Sequence, residues 1–484
     1  MSLGVHARQP EVEETVLGSE PSDGPESAEP VTSLTEGGVG VKNRAEPVTA
    51  AERFFAVDVL RGFALLGILA MNIVGFGWPE AAYDDPFRGG GFEGLNRGVW
   101  FGNHLFFEAK MMTIFSMLFG AGLVLMDQRA EKRGAEIRGI YYRRVLWLLV
   151  IGLVHSYLIW WGDILVLYAE CGLLLYFFRN LRPRTMIVLG ISAMVILVPW
   201  MLGFAKTIDY MRAASDRYEA QIRAGEKHRG ADHMLHEFWT EHLRDDILPG
   251  AEKKAKDWDK EMAVHRGSYL GIVKHRAPKL LKTQIFGFLF GGGLFAMSRM
   301  LVGMGLMKLG VFSAQRSRKF YLWTVGLGYG IGLPLMVFDA MEHIRRRFSF
   351  DYMIHGGVLY NLFGSLVVAL GHVGLLMLIV QSGAIGWLTT RLAAVGRMAL
   401  SNYLFDSIVC TALFYGYGFG LFGQINRTGL AAIVVTIWTI QLLVSPIWLK
   451  YFRFGPAEWL WRSLTYWRLQ PMRKRPEGTV AMTA

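Results

Sequence analysis

Cysteine is nearly absent from this 484-residue chain, with Cys171 and Cys410 making up the whole complement. Two thiols so far apart give neither a disulfide framework nor a metal-ligand spacing, so both read as small packing residues. Charge is sparse too. Asp, Glu, Lys and Arg make up 19% of the chain, while 52% is hydrophobic; soluble domains run near a quarter charged. Residues 1–50 hold no aromatic residue and no apolar run. That excludes a packed core and predicts a disordered tail. The same segment lacks a basic stretch followed by an apolar one, which excludes a cleavable signal peptide and leaves the first membrane helix as insertion signal. The glycine-rich Gly291–Gly293 and Gly326–Gly332 stretches lack a strand–turn–helix context and a Lys-Ser/Thr partner, so they are not phosphate loops. No internal repeat supports an inverted-repeat transporter.

What the chain has instead is long apolar runs. A spanning helix needs about 20 mostly apolar residues, and ten stretches qualify: 55–78, 105–126, 144–161, 163–179, 185–205, 284–307, 319–338, 356–380, 398–418 and 429–449. The expected fold class is an all-α, polytopic membrane helical bundle. The expected segments are a tail (1–50), a first membrane half (51–205), a polar helical insert (206–283), a second membrane half (284–467) and a basic tail (468–484). Net charge is +11, but the basic residues concentrate in alternate short loops, the pattern of membrane insertion rather than nucleic-acid binding. Arg129, Lys132, Arg143, Arg182, Lys308, Arg397 and Lys450 belong to loops or ends on one side, predicting both termini inside the cell. Arg345-Arg346-Arg347 dissents, partly offset by Asp339, Glu342 and Asp351. The expected location is the bacterial inner membrane, with the lipid bilayer as the first partner. Association with further copies of the chain stays open.

Charges inside the runs cost about 2.5–3.5 kcal/mol each on insertion scales, so each needs a reason. Asp58 and Arg61 share a face of the first span at i, i+3. They read either as a structural ion pair or as an anion site in which Asp58 positions the Arg fork. Asn72 lies about three turns further on the same side. His104 and Glu108 are i, i+4, a spacing at which the carboxylate fixes the imidazole tautomer for general-base work; the alternative is an interfacial helix with Lys110 snorkelling. His155 is flanked by apolar residues, and Asp163 follows at the Trp160-Trp161-Gly162 break. The ninth span opens Gly396-Arg397-Met-Ala-Leu-Ser401-Asn402-Tyr403-Leu-Phe-Asp406-Ser407, where Arg397 starts the helix and Ser401, Asn402 and Asp406 read as polar glue or as a second wall facing Arg61. The insert carries His228, His233, His236 and His242; a solvated helical loop is the expectation there, and no metal site.

Five blocks in order resemble the YeiB-like family of bacterial membrane proteins: Asp58-Val-Leu-Arg61-Gly62, Lys110-Met-Met-Thr-Ile-Phe115-Ser116, Leu153-Val-His155 with Trp161-Gly162-Asp163, Gly396-Arg397 with Asn402-Tyr403, and Gly455-Pro456-Ala-Glu458-Trp459. The first block is also similar to the opening helix of membrane acyltransferases, including the heparan glucosaminide acetyltransferase type. That resemblance implies a base at His104 and an acyl donor such as acyl-CoA bound transiently, with no permanent cofactor. No His adjoins Arg61-Gly62 as in the other large acyltransferase branch, so nothing is carried over from it. The implied reaction passes an acyl group from a cytoplasmic donor to a small-molecule or cell-envelope acceptor at the outer face. Asp58, Arg61, Asn72, Arg397 and Asn402 would hold the donor. His104, Glu108, Lys110, His155 and Asp163 would serve catalysis, with Lys110 at the oxyanion. The competing expectation is a permease for a small anionic solute.

Overall fold

Within lipid, an apolar run satisfies its own amides only as a helix or a closed barrel. The computed structural model describes residues 54–225, 230–244 and 251–474, without the side chains of 242, 243, 251–253, 289 and 290. Among these residues the chain is helical with no strand, and one isolated bridge pairs Phe452 with Arg473. The expected tail 1–50, His228 and the side chain of His242 lie outside the described residues.

The principal helices are α1 (Phe55–Gly77), α2 (Leu95–Phe106), α3 (Lys110–Lys132), α4 (Arg138–Val154), α5 (Leu165–Leu175), α6 (Pro183–Arg223), α7 (Ala231–Phe238), α8 (Ala251–His265), α9 (Tyr269–Gly287), α10 (Gly293–Lys308), α11 (Arg318–Arg345), α12 (Val358–Ser382), α13 (Gly386–Arg397), α14 (Ala399–Phe414), α15 (Arg427–Tyr451) and α16 (Pro456–Tyr466). Among the described residues, seven helical segments are long and apolar enough to cross a membrane: Phe55–Gly77, Leu95–Lys132, Arg138–Ile159, Pro183–Arg223, Arg318–Arg345, Phe350–Ser382 and Arg427–Tyr451. Three of the ten expected spans take other forms. Leu165–Phe178 and Ala399–Phe414 are shorter apolar helices. The stretch 284–307 runs through the end of α9, a π-helical turn at Phe288–Gly292 and α10.

The long helices turn apolar side chains outward. Val195, Ile196 and Trp200 on α6, Trp323 and Ile331 on α11, and Val444 and Ile447 on α15 are all exposed. Apolar surface on this scale needs a non-aqueous solvent, which the bilayer provides.

Inside, glycine sets the closest approaches. A Cβ on Gly62 of α1 would collide with the carbonyl oxygen of Leu392, and one on Gly396 would collide with that of Asp58. The two helices therefore cross backbone to backbone, as small residues permit. Gly120 and Gly303 do the same for α3 and α10, against Met300 and Met117.

The insert begins as a continuation of α6, whose 41 residues reach roughly 60 Å, well beyond a hydrocarbon core of about 30 Å. Further along, α8 and α9 fold against the far ends of α1 and α14. Lys279 meets Glu80 and Glu261, and the Gly416 amide donates to the His265 carbonyl. His265 stacks on Phe422 with ring centroids 4.6 Å apart, and burial holds its pKa below the ordinary imidazole value. His233 and His236 pack around Tyr218, and His236 Nδ1 lies 2.9 Å from Ser215 Oγ.

The crossing of α1 and α13 yields a test. Gly396→Ala forces the backbones apart and is expected to lower stability by about 1–3 kcal/mol, the usual cost of overpacking. Gly326→Ala, where nothing lies within 4 Å of the added Cβ, is expected to leave the unfolding midpoint unchanged or raised. Thermal unfolding of the two purified proteins in one detergent makes the comparison.

Candidate functional site

Two cavities collect Asp58, Arg61, Arg397, His104 and Glu108. The first, of about 280 Å³, opens beside the start of α1. Five guanidinium groups line it, those of Arg61, Arg129, Arg144, Arg397 and Arg462, against two carboxylates, Asp58 and Glu458. Asp58 accepts from Arg61 at 2.9 Å. Glu458 is occupied by the start of α14: its oxygens accept from the amides of Leu400 and Ser401 at 2.6 and 3.1 Å and from the Ser401 hydroxyl. This caps free helix N–H groups with a carboxylate at the positive end of the dipole. Arg144 lies over the Trp461 ring, 3.8 Å from its centroid, which orients its fork without neutralising it. Among the described residues the lining therefore carries more guanidinium than carboxylate groups. Behind these groups the wall turns apolar, through Leu65, Ile68, Phe115, Leu118 and Leu148, and ends at Ile164, Tyr168 and Tyr403.

The Gly62–Gly396 contact explains why Arg61 and Arg397 share this cavity, since each arginine follows or precedes the glycine at the crossing. Asn402 does not line it. Its amide donates to Val395 O and Ser445 Oγ, and Asp406 accepts from Gln441 at 2.6 Å. That polar face of α14 therefore packs on α15 instead of facing Arg61. Asn72 is half-buried on α1 and lines neither cavity.

The second cavity, of about 330 Å³, contains His104, Glu108, Asp84, His343 and Asn361, with the rings of Tyr83, Trp100 and Phe348. The two cavities share no lining residue. His104 is enclosed and stacks on Trp100, centroids 5.2 Å apart. Its Nδ1 lies 2.7 Å from Glu108 Oε2 and its Nε2 3.2 Å from Asp339 Oδ2, so a carboxylate stands at each ring nitrogen. Asn361 donates to the other oxygen of Glu108 at 3.2 Å, and Tyr352 donates to the other oxygen of Asp339 at 2.8 Å. Both carboxylates are held in turn by partners of their own, and the Glu108 contact at Nδ1 fixes the ring orientation.

A break between α2 and α3 aims this group. Ala109 sits at φ +56° in the left-handed region, which is uncommon for a residue with a Cβ and marks a spot held by its surroundings. The break frees the carbonyl of His104 from helix pairing, and fully buried Lys110 donates its ammonium to that oxygen. A cation on the open carbonyls of a helix C-terminus is favourable. Lys110 therefore fixes the turn that presents His104 and Glu108, and it does not line the cavity itself.

His155 and Asp163 meet elsewhere. A π-helical turn over His155–Ile159 ends α4. There His155 Nδ1 lies 2.7 Å from Asp163 Oδ2, and Nε2 lies 2.9 Å from Ser407 Oγ of α14. Asp163 Oδ1 also accepts from the Val166 amide in the first turn of α5, at 2.8 Å.

Sequence reasoning missed Asp339, Arg299 and the role of Ser407. Asp339 and His343 repeat the i, i+4 carboxylate–imidazole spacing on α11, a signal available in the sequence. Arg299 is a cation within an apolar run, flagged by the same rule as Asp58 and Arg61. It is fully buried and donates to Thr113 Oγ1 and to the carbonyls of Phe295 and Leu362, two residues of the second cavity's wall.

An all-helical membrane protein with a cationic cavity near one end and a carboxylate–histidine cavity apart from it defines the class. The family described as "Protein of unknown function (DUF418)" matches residues 306–468. The chain is 30% identical over 443 residues to the uncharacterised protein YxaH of Bacillus subtilis (strain 168), covering 89% of this chain and 98% of that one. It is 31% identical over 420 residues to the uncharacterised protein YeiB of Escherichia coli (strain K12), covering 86% and 96%. No solved structure matches. The chain belongs to this YeiB- and YxaH-like family.

Lys110 offers a check on how the break is held. Lys110→Met leaves the His104 carbonyl buried without its donor, a loss of about 1–3 kcal/mol. Arg61→Met, at the partly exposed pair near the start of α1, is expected to cost less, since exposed pairs contribute up to about 1 kcal/mol. Unfolding midpoints of the two variants test that order.

Proposed function

We propose that this protein is an inner-membrane acyltransferase that takes an acyl group from an anionic cytoplasmic donor and passes it to an acceptor at the outer face. The observation that carries the reading is the composition of the first cavity. Five arginines surround its mouth while Asp58 and Glu458 are engaged by Arg61 and the α14 amides. An apolar wall follows directly behind. This is the chemistry of a ligand with a phosphate-bearing head and an acyl tail, such as acyl-CoA: the arginine forks pair with phosphate oxygens and the tail leaves water. The positive-inside rule puts that mouth on the cytoplasmic side.

The second cavity supplies the acceptor end. An acceptor hydroxyl or amine beside His104 donates to the His104–Glu108–Asp339 group, which polarises it toward the acyl carbon. Its proton passes to the atom that the acyl group leaves as the new bond forms. Held donors and acceptors of this kind typically contribute 10²–10⁴-fold. On this reading the charged head of the donor stays with the arginines, and only the acyl group travels. A permease would instead need one site open to either face, and the two cavities have no wall in common.

The reading is tested with purified protein and acyl-CoA. Arg61→Ala and Arg144→Ala are each expected to weaken binding about tenfold or more, as loss of a charge-assisted hydrogen bond implies. His104→Gln is expected to retain donor binding and lose acyl transfer to an added acceptor. Absence of acyl-CoA binding by the wild-type protein overturns the proposal, and so does undiminished transfer by His104→Gln.

A further inference from the structure

Three polar side chains that the two cavities do not use stand together inside the bundle. Ser407 Oγ is 2.9 Å from His155 Nε2, and His155 Nδ1 is 2.7 Å from Asp163 Oδ2. Ser407 and His155 are each 1% exposed, and the Asp163 side chain is 2% exposed. Asp163 at Nδ1 fixes the N–H there and leaves Nε2 as the acceptor. The Ser407 hydroxyl then donates to the imidazole in preference to the Tyr403 carbonyl, which is further away at 3.3 Å. Nucleophile, base and orienting carboxylate in this order form the triad arrangement, recognised by geometry and not by chain order.

Two observations argue that the group does more than pin α4 to α14. The first is its setting. Ile164 and Leu165, which follow Asp163, and Tyr403, one turn before Ser407, all line the deep end of the cationic cavity. The Tyr403 ring is 5.0 Å from the His155 ring, and its enclosed hydroxyl has no hydrogen-bond acceptor. An O–H donor without an acceptor in an apolar wall is costly, and it stands where an acyl carbonyl from that cavity would need a donor. The second is the backbone. The π-helical turn at His155–Ile159 widens the helix at this point, a feature concentrated at functional sites. An imidazole and a carboxylate together at membrane depth point to a functional site.

We infer that Ser407 is an acyl-accepting nucleophile, activated by His155 and oriented through Asp163, that holds the acyl group at the deep end of the cationic cavity. In the first step Ser407 Oγ bonds the carbonyl carbon of an acyl thioester. The Ser407 proton passes to His155 Nε2, the C–S bond breaks, and the thiolate leaves with that proton. In the second step the acceptor hydroxyl or amine attacks the Ser407 ester. His155 takes the acceptor's proton and returns it to Ser407 Oγ as the acyl group departs. No oxidant or reductant is involved. The thioester donor rests on the acyl-transfer reading; the nucleophile itself does not.

The test uses the full-length protein in detergent with a long-chain alkyl fluorophosphonate, a serine-directed probe that carries no CoA. Intact-mass and peptide analysis are expected to find one adduct, on Ser407. Ser407→Ala is expected to show none, while melting like the wild type. His155→Gln is expected to label at least a hundredfold more slowly, and Ser407→Cys to be captured by an alkylating lipid analogue in its place. No adduct on Ser407 in the folded wild type overturns the inference. So does labelling at an undiminished rate in His155→Gln. Labelling of Ser407 in a protein that binds no acyl-CoA keeps the nucleophile and removes the donor reading. Undiminished acyl transfer by Ser407→Ala keeps the donor reading and removes the nucleophile.

Discussion

The backbone-to-backbone crossing of α1 and α13 at Gly62 and Gly396 constrains more of this molecule than any single side-chain contact. With a Cβ on either residue the two helices could not sit where they do. Arg61 and Arg397 flank that crossing, so the distance between two of the five guanidinium groups is set by glycine. Like charges in one cavity repel, and electrostatics alone would separate them. Packing overrides that repulsion because lipid offers no hydrophobic driving force between helices. Close van der Waals contact between backbones is what holds membrane helices together. The cationic cavity is therefore imposed by the fold.

A second constraint concerns charge that never reaches water. Lys110, Arg299 and Asp339 are all fully enclosed. Lys110 donates to a helix-end carbonyl and Arg299 to a threonine and two carbonyls, while Asp339 accepts from a tyrosine hydroxyl at one oxygen and sets the other 3.2 Å from His104 Nε2. Groups satisfied in this way are costly to leave half-paired, so they enforce one arrangement. In this fold they fix the α2–α3 break and the wall of the second cavity. That is why Lys110, expected at a developing oxyanion, is better understood as the residue that shapes the turn carrying His104.

How far the site was legible follows from the range of each interaction. The Asp58–Arg61 and His104–Glu108 pairs are three and four residues apart, and helical periodicity alone joins them. The rule that charge in an apolar run needs a reason singled out His155 and Asp163. It did not find Ser407, because a hydroxyl in a membrane helix is unremarkable and its partner lies 252 residues away. Asp339 escaped for a similar reason: it counted as loop charge until α11 turned out to carry it to His104. The periodicity of α14 correctly grouped Asn402 with Asp406 but could not say which neighbour that face meets, and it meets α15. The helical membrane class was plain from the apolar runs. Three spans came out shorter or interrupted because α5 and α14 end in turns after 11 and 16 residues, and because a π-helical turn divides α9 from α10.

The separation of the two cavities has a consequence for any chemistry that joins them. A donor head held by arginines cannot follow its acyl tail across the bundle, since burying phosphate charge without those arginines costs far more than an acyl chain gains. The tail is apolar and travels at little cost, but a thioester is reactive, and the apolar wall behind the arginines keeps off the water that would hydrolyse it. On an acyl-transfer reading, the head thus stays at the mouth, and the reacting carbon must stop where polar groups are already satisfied by one another. The Ser407–His155–Asp163 set meets that requirement: it asks nothing of the surrounding lipid or protein when idle, and it stands behind Tyr403 and Ile164, where the apolar wall of the cationic cavity ends.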